Sequence, residues 1–252
     1  MNVVVGPGLA IALIALVAMG YGAAAMGRLG TGRELAVAAA RAVVQLAIVA
    51  LVLSWALTDV WGSLAVVAVM FGVAVFTTAK RTGVLRCWPY VAAAVASGVL
   101  PVTTIVFASG AAPFSGVAIV ALSGIVIGNM MTAHTLTGRR AFADLRANQG
   151  TYEAGLALGL PRPQAMNEIL LPAAGEALLP TLDQTRTVGL VTLPGAFIGV
   201  LLGGGSPLQA AAAQVLVLIG VMAGQSVTVT VGQALIRHAR ILPADLKVKL
   251  IA

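Results

Sequence analysis

Seven apolar runs separated by short polar breaks follow one another along the chain: Val3–Met26, Leu35–Leu57, Val60–Ala79, Trp88–Ala108, Phe114–Ala133, Leu182–Leu202 and Leu208–Ile236. Each is close to the ~20 residues a helix needs to cross about 30 Å of hydrocarbon. None alternates with the two-residue period of a barrel strand. The pattern therefore predicts an all-α, polytopic membrane protein of seven transmembrane helices, a single domain over residues 1–252. The first run is expected to span rather than to be a cleaved leader. No basic side chain precedes it, and it exceeds the ~7–15 residues of a signal-peptide core, although Ala23-Ala24-Ala25 resembles a cleavage site.

One polar interval is much longer than the others, from His134 to about Leu179. It keeps apolar residues at helical spacing: Phe142 and Leu145, then Leu156, Leu158 and Leu160, then Met166, Ile169 and Leu170. Such a pattern suits surface helices rather than spans. Gly159 frees the backbone, and Pro161 and Pro163 disfavour helix at the residues before them. A helix-turn-helix lying on the membrane face is expected here.

Composition agrees with the pattern. Soluble proteins carry roughly a quarter charged residues; this chain has 9%, with 60% hydrophobic residues and a mean hydropathy of +1.01. The formal net charge of +7 changes the picture in a different way. Its bases stand singly or in pairs between apolar runs, not on one polar face, which argues against nucleic acid. With the N-terminus outside, Arg28, Arg33, Lys80, Arg81, Arg86, Arg139, Arg140, Arg146, Arg162, Arg237, Arg240, Lys247 and Lys249 all fall on the cytoplasmic side. The three outer loops then hold no Lys or Arg, as the positive-inside rule predicts. An inner (plasma) membrane location with a cytoplasmic C-terminus follows. The one cysteine, Cys87, excludes an internal disulfide.

Inside the long polar interval the chain reads Glu153-Ala154-Gly155, then three residues to Gly159, then nine to Ile169-Leu170-Leu171-Pro172. This spacing resembles the EAA loop of ABC transporter permeases, with Gly155 replacing the third small residue. A short rigid helix with small residues for close approach and a carboxylate to fix register suits transmission of force to another protein. Together with Gly128-Asn129-Met130-Met131-Thr132-Ala133, Arg41, Gln45 and Val188-Gly189-Leu190-Val191-Thr192-Leu193-Pro194-Gly195, the loop makes the chain resemble the permease family of FetB-type iron exporters, which includes plant proteins linked to aluminium tolerance. The resemblance implies a non-catalytic permease that exports iron or another metal ion with a separate cytoplasmic ABC ATPase subunit. Glu153, Ala154, Gly155, Gly159, Ile169, Leu171 and Pro172 are its expected coupling residues.

No Walker A loop occurs around Lys80, Lys247 or Lys249, so no cofactor is expected on this chain and ATP belongs to the partner. Neither HExxH nor GxSxG is present, nor paired intramembrane carboxylates. Because ABC permeases generally work in pairs, a homodimer is expected. Arg41 and Gln45, one turn apart in the second run, line a pathway or bond across a dimer interface; alternatively Arg41 snorkels to the surface. Met130, Met131 and His134 offer soft ligands for a metal, or fill apolar space. Asn129 lines the pathway or bonds another helix. Pro194-Gly195 should kink or break the sixth span, which marks substrate sites in some transporters. Asp183 and Arg186, three residues apart, are expected to pair. An ABC importer, or an ion-coupled secondary transporter needing no ATPase, are the competing functions; the latter would call for intramembrane acids, and only Asp183 lies near a span end.

Overall fold

The computed structural model describes residues 6–56 and 59–251. The expected start of the first run at Val3 and the expected close of the second at Leu57-Thr58 lie outside the described residues. Among those described, the ordered elements are helices, and six of them are long and apolar enough to cross a membrane. The chain divides into two compact units at Asp59/Val60.

The first unit is a pair of helices, α1 (Pro7–Met26) and α2 (Gly32–Ala56). Pro7 sits in the first turn of α1, where its missing N–H costs nothing. Between the helices, Arg28 (φ 50°) and Gly30 (φ 70°) adopt left-handed backbone and reverse the chain. Small residues let the pair close: a Cβ on Gly20 would stand 3.1 Å from Leu35 Cδ1, and one on Gly32 would stand 3.1 Å from the Tyr21 ring. Most other side chains face outward, Ile14 at 69% exposure and Leu46 at 67%. Water would penalise such a surface heavily, whereas lipid tails accept it.

The second unit is built around α5 (Gly116–Ala147), which packs against α3 (Val60–Arg81), α4 (Trp88–Ala108) and α10 (Pro207–Arg237). Hydrophobicity does not hold helices together in lipid, so close van der Waals approach must. On α10, Gly220, Gly224, Thr228 and Gly232 recur every four residues and form a ridge of small side chains. Gly98 of α4 meets that ridge so closely that a Cβ there would collide with Thr228 Oγ1 and the Gly224 carbonyl oxygen, and would lie 2.9 Å from Met130 Sδ. On the opposite side of α5, Thr78 and Thr135 place their hydroxyls 3.3 Å apart across the α3–α5 contact.

Two expected boundaries differ in the structure. The fifth run was expected to end at Ala133, but α5 continues unbroken to Ala147. Its 32 residues extend about 48 Å, well beyond the hydrocarbon, so its last turns carry Arg139, Arg140 and Arg146 into water. Leu182–Leu202, expected as one span, is two short helices, α8 (Leu179–Thr187) and α9 (Gly195–Leu202). Pro194 bars helix at the residue before it, and Gly189 takes a left-handed φ of 80°. The intervening turn satisfies part of its own backbone: Gly189 N–H donates to the Thr192 carbonyl at 2.9 Å, and Val191 N–H to Thr187 at 2.9 Å.

Past α5 the chain makes a hairpin of α6 (Gln149–Ala157) and α7 (Arg162–Leu170), turning at Gly159 with φ 85°. This is the helix-turn-helix that the glycine and the two prolines predict. The basic stretch after Arg237 holds a further helix, α11 (Ala244–Ile251). Its Leu246 and Leu250, with Ile241 and Leu242 just before it, are buried in one cluster with Phe142, Leu145, Tyr152, Met166 and Leu170. Tyr152 donates its hydroxyl hydrogen to the Leu250 carbonyl at 2.6 Å, and Arg146 grips Asp245 through two bonds of 2.7 and 3.1 Å.

That ion pair gives a pH prediction. The hydrogen bond from Arg146 holds the Asp245 carboxyl below its ordinary value of 3.8. A lowered folded-state value means the pair stabilises the fold above pH ~4, and the stabilisation is lost as pH falls through the folded value. Both partners are about half exposed, so the effect is at most about 1 kcal/mol. The protection of α11 amides against hydrogen exchange, taken relative to the intrinsic rate at each pH, should therefore fall only below about pH 4, and the Asp245→Asn variant should lack that acid step.

Candidate functional site

Two regions combine polar chemistry with shape. The first is the α6–α7 hairpin at the end of α5. Gly155 is buried, and a Cβ on it would stand 3.1 Å from Ala165 Cβ, so glycine at this point sets how closely the two helices meet. Tyr152 is turned inward with it. Glu153 and Ala154 consequently point outward and are exposed on the free face of α6. Ile169 is buried against the core, while Leu171 and Pro172, in the short 3-10 turn that follows α7, are exposed. Leu156 and Leu158, grouped with the apolar positions in the sequence, face outward; the inward face of α6 is Tyr152 and Gly155 instead.

Beside the hairpin lies a polar cleft of about 390 Å³ bounded by Arg140, Asp144, Asn148, Thr151, Glu168 and Glu176. Arg140 bridges Asp144 at 3.1 Å and Glu176 at 3.2 Å. Ion pairs in which at least one partner is largely exposed contribute little stability.

The second region lies where the α8–α9 break faces α5 and α10. A cavity of about 330 Å³ opens there, lined by Asn129 of α5, Thr181 and Gln184 of α8, Pro194 and Gly195 at the start of α9, and Gln214 of α10. Irregular backbone is tolerated in a membrane where protein buries it or where it lines a cavity. Asn129 donates its side-chain N–H to the Ile125 carbonyl of its own helix at 2.8 Å. The link to α10 runs through its backbone, whose carbonyl accepts from Gln225 Nε2 at 3.4 Å. Asp183 and Arg186 pair at 3.0 Å, as their spacing predicts.

Met130 and His134 face α10. Met130 is fully buried at the Gly98–Gly224 contact, and His134 fits into space that a Cβ on Gly232 would invade, 2.7 Å from its Nδ1. Met131 packs against the apolar cluster of Ala74, Val95 and Ile127. Among the described residues no three of His, Cys, Asp and Glu stand together as a metal cage. Arg41 and Gln45 lie exposed on α2, in the first unit. Asn129, Pro194 and Gly195 are thus the sequence candidates that the fold brings to one cavity.

The sequence reading passed over Thr181, Gln184, Gln214 and Gln225, although isolated amides and hydroxyls within or beside a long apolar run are a signal in themselves. It also passed over α11 and the residues leading into it, where Leu242, Leu246 and Leu250 recur every four residues.

Comparison with known proteins agrees with a membrane permease. The chain is 31% identical over 221 residues to the rice UPF0014 membrane protein STAR2, covering 86% of this chain and 78% of that protein. Protein ALUMINUM SENSITIVE 3 of Arabidopsis thaliana is 29% identical over 203 residues, covering 78% and 74%. The probable iron export permease protein FetB of Escherichia coli is 29% identical over 186 residues, covering 70% of each chain. No solved structure matches. Residues 8–240 match the family described as Uncharacterised protein family (UPF0014). With that match over most of its length, a multi-pass helical fold and relatives named as membrane and permease proteins, the chain belongs to the UPF0014 family of membrane proteins.

Proposed function

We propose that the chain is the permease subunit of an ABC transporter that exports iron or another metal ion, driven by ATP hydrolysed on a separate cytoplasmic subunit. The observation that carries this reading is the α6–α7 hairpin. It rests on a buried base of Tyr152, Gly155, Ala165 and Met166 and turns Glu153 and Ala154 outward, so a partner can push on it as a rigid body. A relative named as a probable iron export permease supports the direction and the substrate.

In this reading the hairpin is cytoplasmic, the chain lies in the plasma membrane with its N-terminus outside, and two copies form the pathway. The α8–α9 pair then crosses as a broken helix, the sixth of seven spans. Its 9 and 8 helical residues supply about 25 Å of rise, and the intervening turn the remainder. Leu190 and Val191 at that turn are 87% and 79% exposed, as suits contact with lipid or a second copy.

The test joins association to transport. Purification of the tagged chain from its native membrane should bring down an ABC ATPase. Glu153→Lys, at an exposed position that no buried contact uses, should leave the helical fold intact. It should nevertheless cut ATP-dependent iron accumulation in inverted vesicles more than about tenfold, equivalent to ~1.4 kcal/mol of coupling. No ATPase in the purified material, with unchanged transport by Glu153→Lys, would refute the proposal.

A further inference from the structure

We propose that the corner where α3 ends, α4 begins and the chain leaves α10 is a docking site for the headgroup of an anionic phospholipid. The inference needs the membrane-spanning fold alone and not the transport reading, and it gives a partner to side chains that neither the hairpin nor the α8–α9 cavity uses.

The corner is assembled from stretches far apart in the chain. After Lys80 and Arg81 close α3, Gly83 turns the backbone with a left-handed φ of 74°, and Val84 N–H donates back to the Ala79 carbonyl at 2.8 Å. Val84 and Cys87 are buried in one cluster with Ile241, Leu242 and Leu246. The exposed residues between and after them, Leu85, Arg86 and Trp88, are thereby carried beside the segment that follows α10. Two contacts fix the match. Arg240 lays its guanidinium over the Tyr90 ring, 5.9 Å from the centroid, and Lys247 Nζ lies 3.7 Å from Cys87 Sγ, 160 residues away in the chain.

Charge and depth select the occupant. Lys80, Arg81, Arg86, Arg240 and Lys247 are all exposed, and among the described residues no carboxylate pairs with any of them. Asp245, the acid nearest Lys247 in sequence, is taken by Arg146. A thiol is a weak acceptor, so Lys247 keeps hydrogens to give, and stacking on Tyr90 holds the plane of Arg240 while leaving its edge N–H groups open. Like charges gathered in one place repel, and an anion among them relieves that cost. The bases also stand where the apolar run of α3 ends and where Trp88 and Tyr90 open α4. Tyr and Trp favour the headgroup level of a bilayer, and basic clusters at the end of a span attract anionic lipid. An acidic protein would answer the bases alone. A lipid answers both features, its phosphate meeting the bases and its glycerol and upper acyl chains meeting Trp88 and Leu85, which are 58% and 45% exposed. The segment carrying Arg240 and Lys247 also clasps the hairpin through Leu250 and α5 through Asp245, so a lipid held here holds α11 in place.

The full chain, purified in neutral detergent, is titrated with dioleoyl phosphatidylglycerol and separately with dioleoyl phosphatidylcholine, and bound lipid is counted by native mass spectrometry. We expect phosphatidylglycerol to bind at least about tenfold more tightly. A base near a membrane surface contributes about fivefold in affinity. Arg240→Gln and Lys247→Gln should therefore each weaken phosphatidylglycerol about fivefold, and the double variant about twenty-five-fold, with phosphatidylcholine unchanged. Both positions are exposed, so the variants should fold. Lys247→Arg keeps the charge and should keep the binding. Arg162→Gln removes an exposed base from the hairpin instead and should alter binding less than about twofold. Phosphatidylglycerol should also slow hydrogen exchange of α11 amides in the native chain and not in the double variant. The proposal is overturned by equal binding of the two lipids, the result if an acidic protein covers the corner. It is equally overturned by full phosphatidylglycerol binding in the double variant, by an equal loss in Arg162→Gln, or by α11 exchange that ignores the bound lipid.

Discussion

Replacing Gly98 by valine is expected to stop the second unit from closing, the largest loss foreseen for any single change in this chain. The reason lies in what surrounds the missing side chain. Even the first carbon would collide with Thr228 Oγ1 and the Gly224 carbonyl oxygen, and would press on Met130 Sδ at 2.9 Å. Met130 can shift a flexible end, but the Gly224 carbonyl is backbone in the middle of a 31-residue helix and cannot. Separating α4 from α10 would also strip Met130 of its packing, since α5 reaches this seam through that residue. Overpacking of a tight core costs about 3 kcal/mol or more, roughly two orders of magnitude in the folded population. Size-exclusion profiles and thermal midpoints in detergent would register the change; Gly98→Ala should be intermediate. A monodisperse Gly98→Val protein with an unaltered midpoint would show that the helices do not approach this closely.

Leu246→Asp is expected to have the second largest effect, and a local one. Leu246 is fully buried among the side chains that also support the hairpin, in a cluster with Tyr152, Met166 and Leu170. A carboxylate cannot remain there unpaired, so α11 should leave the surface rather than bury it. The hairpin then loses the Leu250 carbonyl that accepts from Tyr152, and α5 loses the Asp245 clamp on its Arg146. With about 3 kcal/mol of apolar support removed, opening of α6 and α7 becomes roughly a hundredfold easier. Hydrogen exchange should show faster amides from Gln149 to Leu170 and unchanged ones in the middle of α4 and α10. Under the proposed function, ATP hydrolysis by the partner would continue while transport falls, because a loosened hairpin no longer carries force. Unchanged exchange in the hairpin would remove α11 from any supporting role.

Some of this was legible along the chain and some was not. Six of the seven expected spans were, since crossing hydrocarbon requires length and apolarity and nothing subtler. The turn at Gly159 was, because a glycine followed by two prolines leaves few alternatives, and its φ of 85° bears that out. So was the interruption at Pro194-Gly195, which placed one wall of the cavity. The extension of α5 was missed because the charges at Arg139 and Arg140 end a hydrophobic run without ending a helix: arginine is a good helix former. The clasp by α11 was missed because the stretch after Arg237 reads as a basic tail, and its leucines acquire a purpose only when the hairpin is beside them.

What the amino-acid sequence determined by itself is the solvent of this protein, the rough position of its apolar runs, the distribution of its bases and the turn of its hairpin. Each depends on local chemistry or on distance along one chain. The tertiary structure alone decided that Gly98 meets Gly224 and Thr228, that Tyr152 rather than Leu156 or Leu158 faces inward, and that Asn129, Gln184 and Gln214 share a cavity with the broken helix. The physical reason is that a helix apolar on every side carries no periodic signal of which face meets protein and which meets lipid. In such a helix the meeting faces are chosen by close fit between small residues far apart in sequence, and fit is a property of pairs of surfaces.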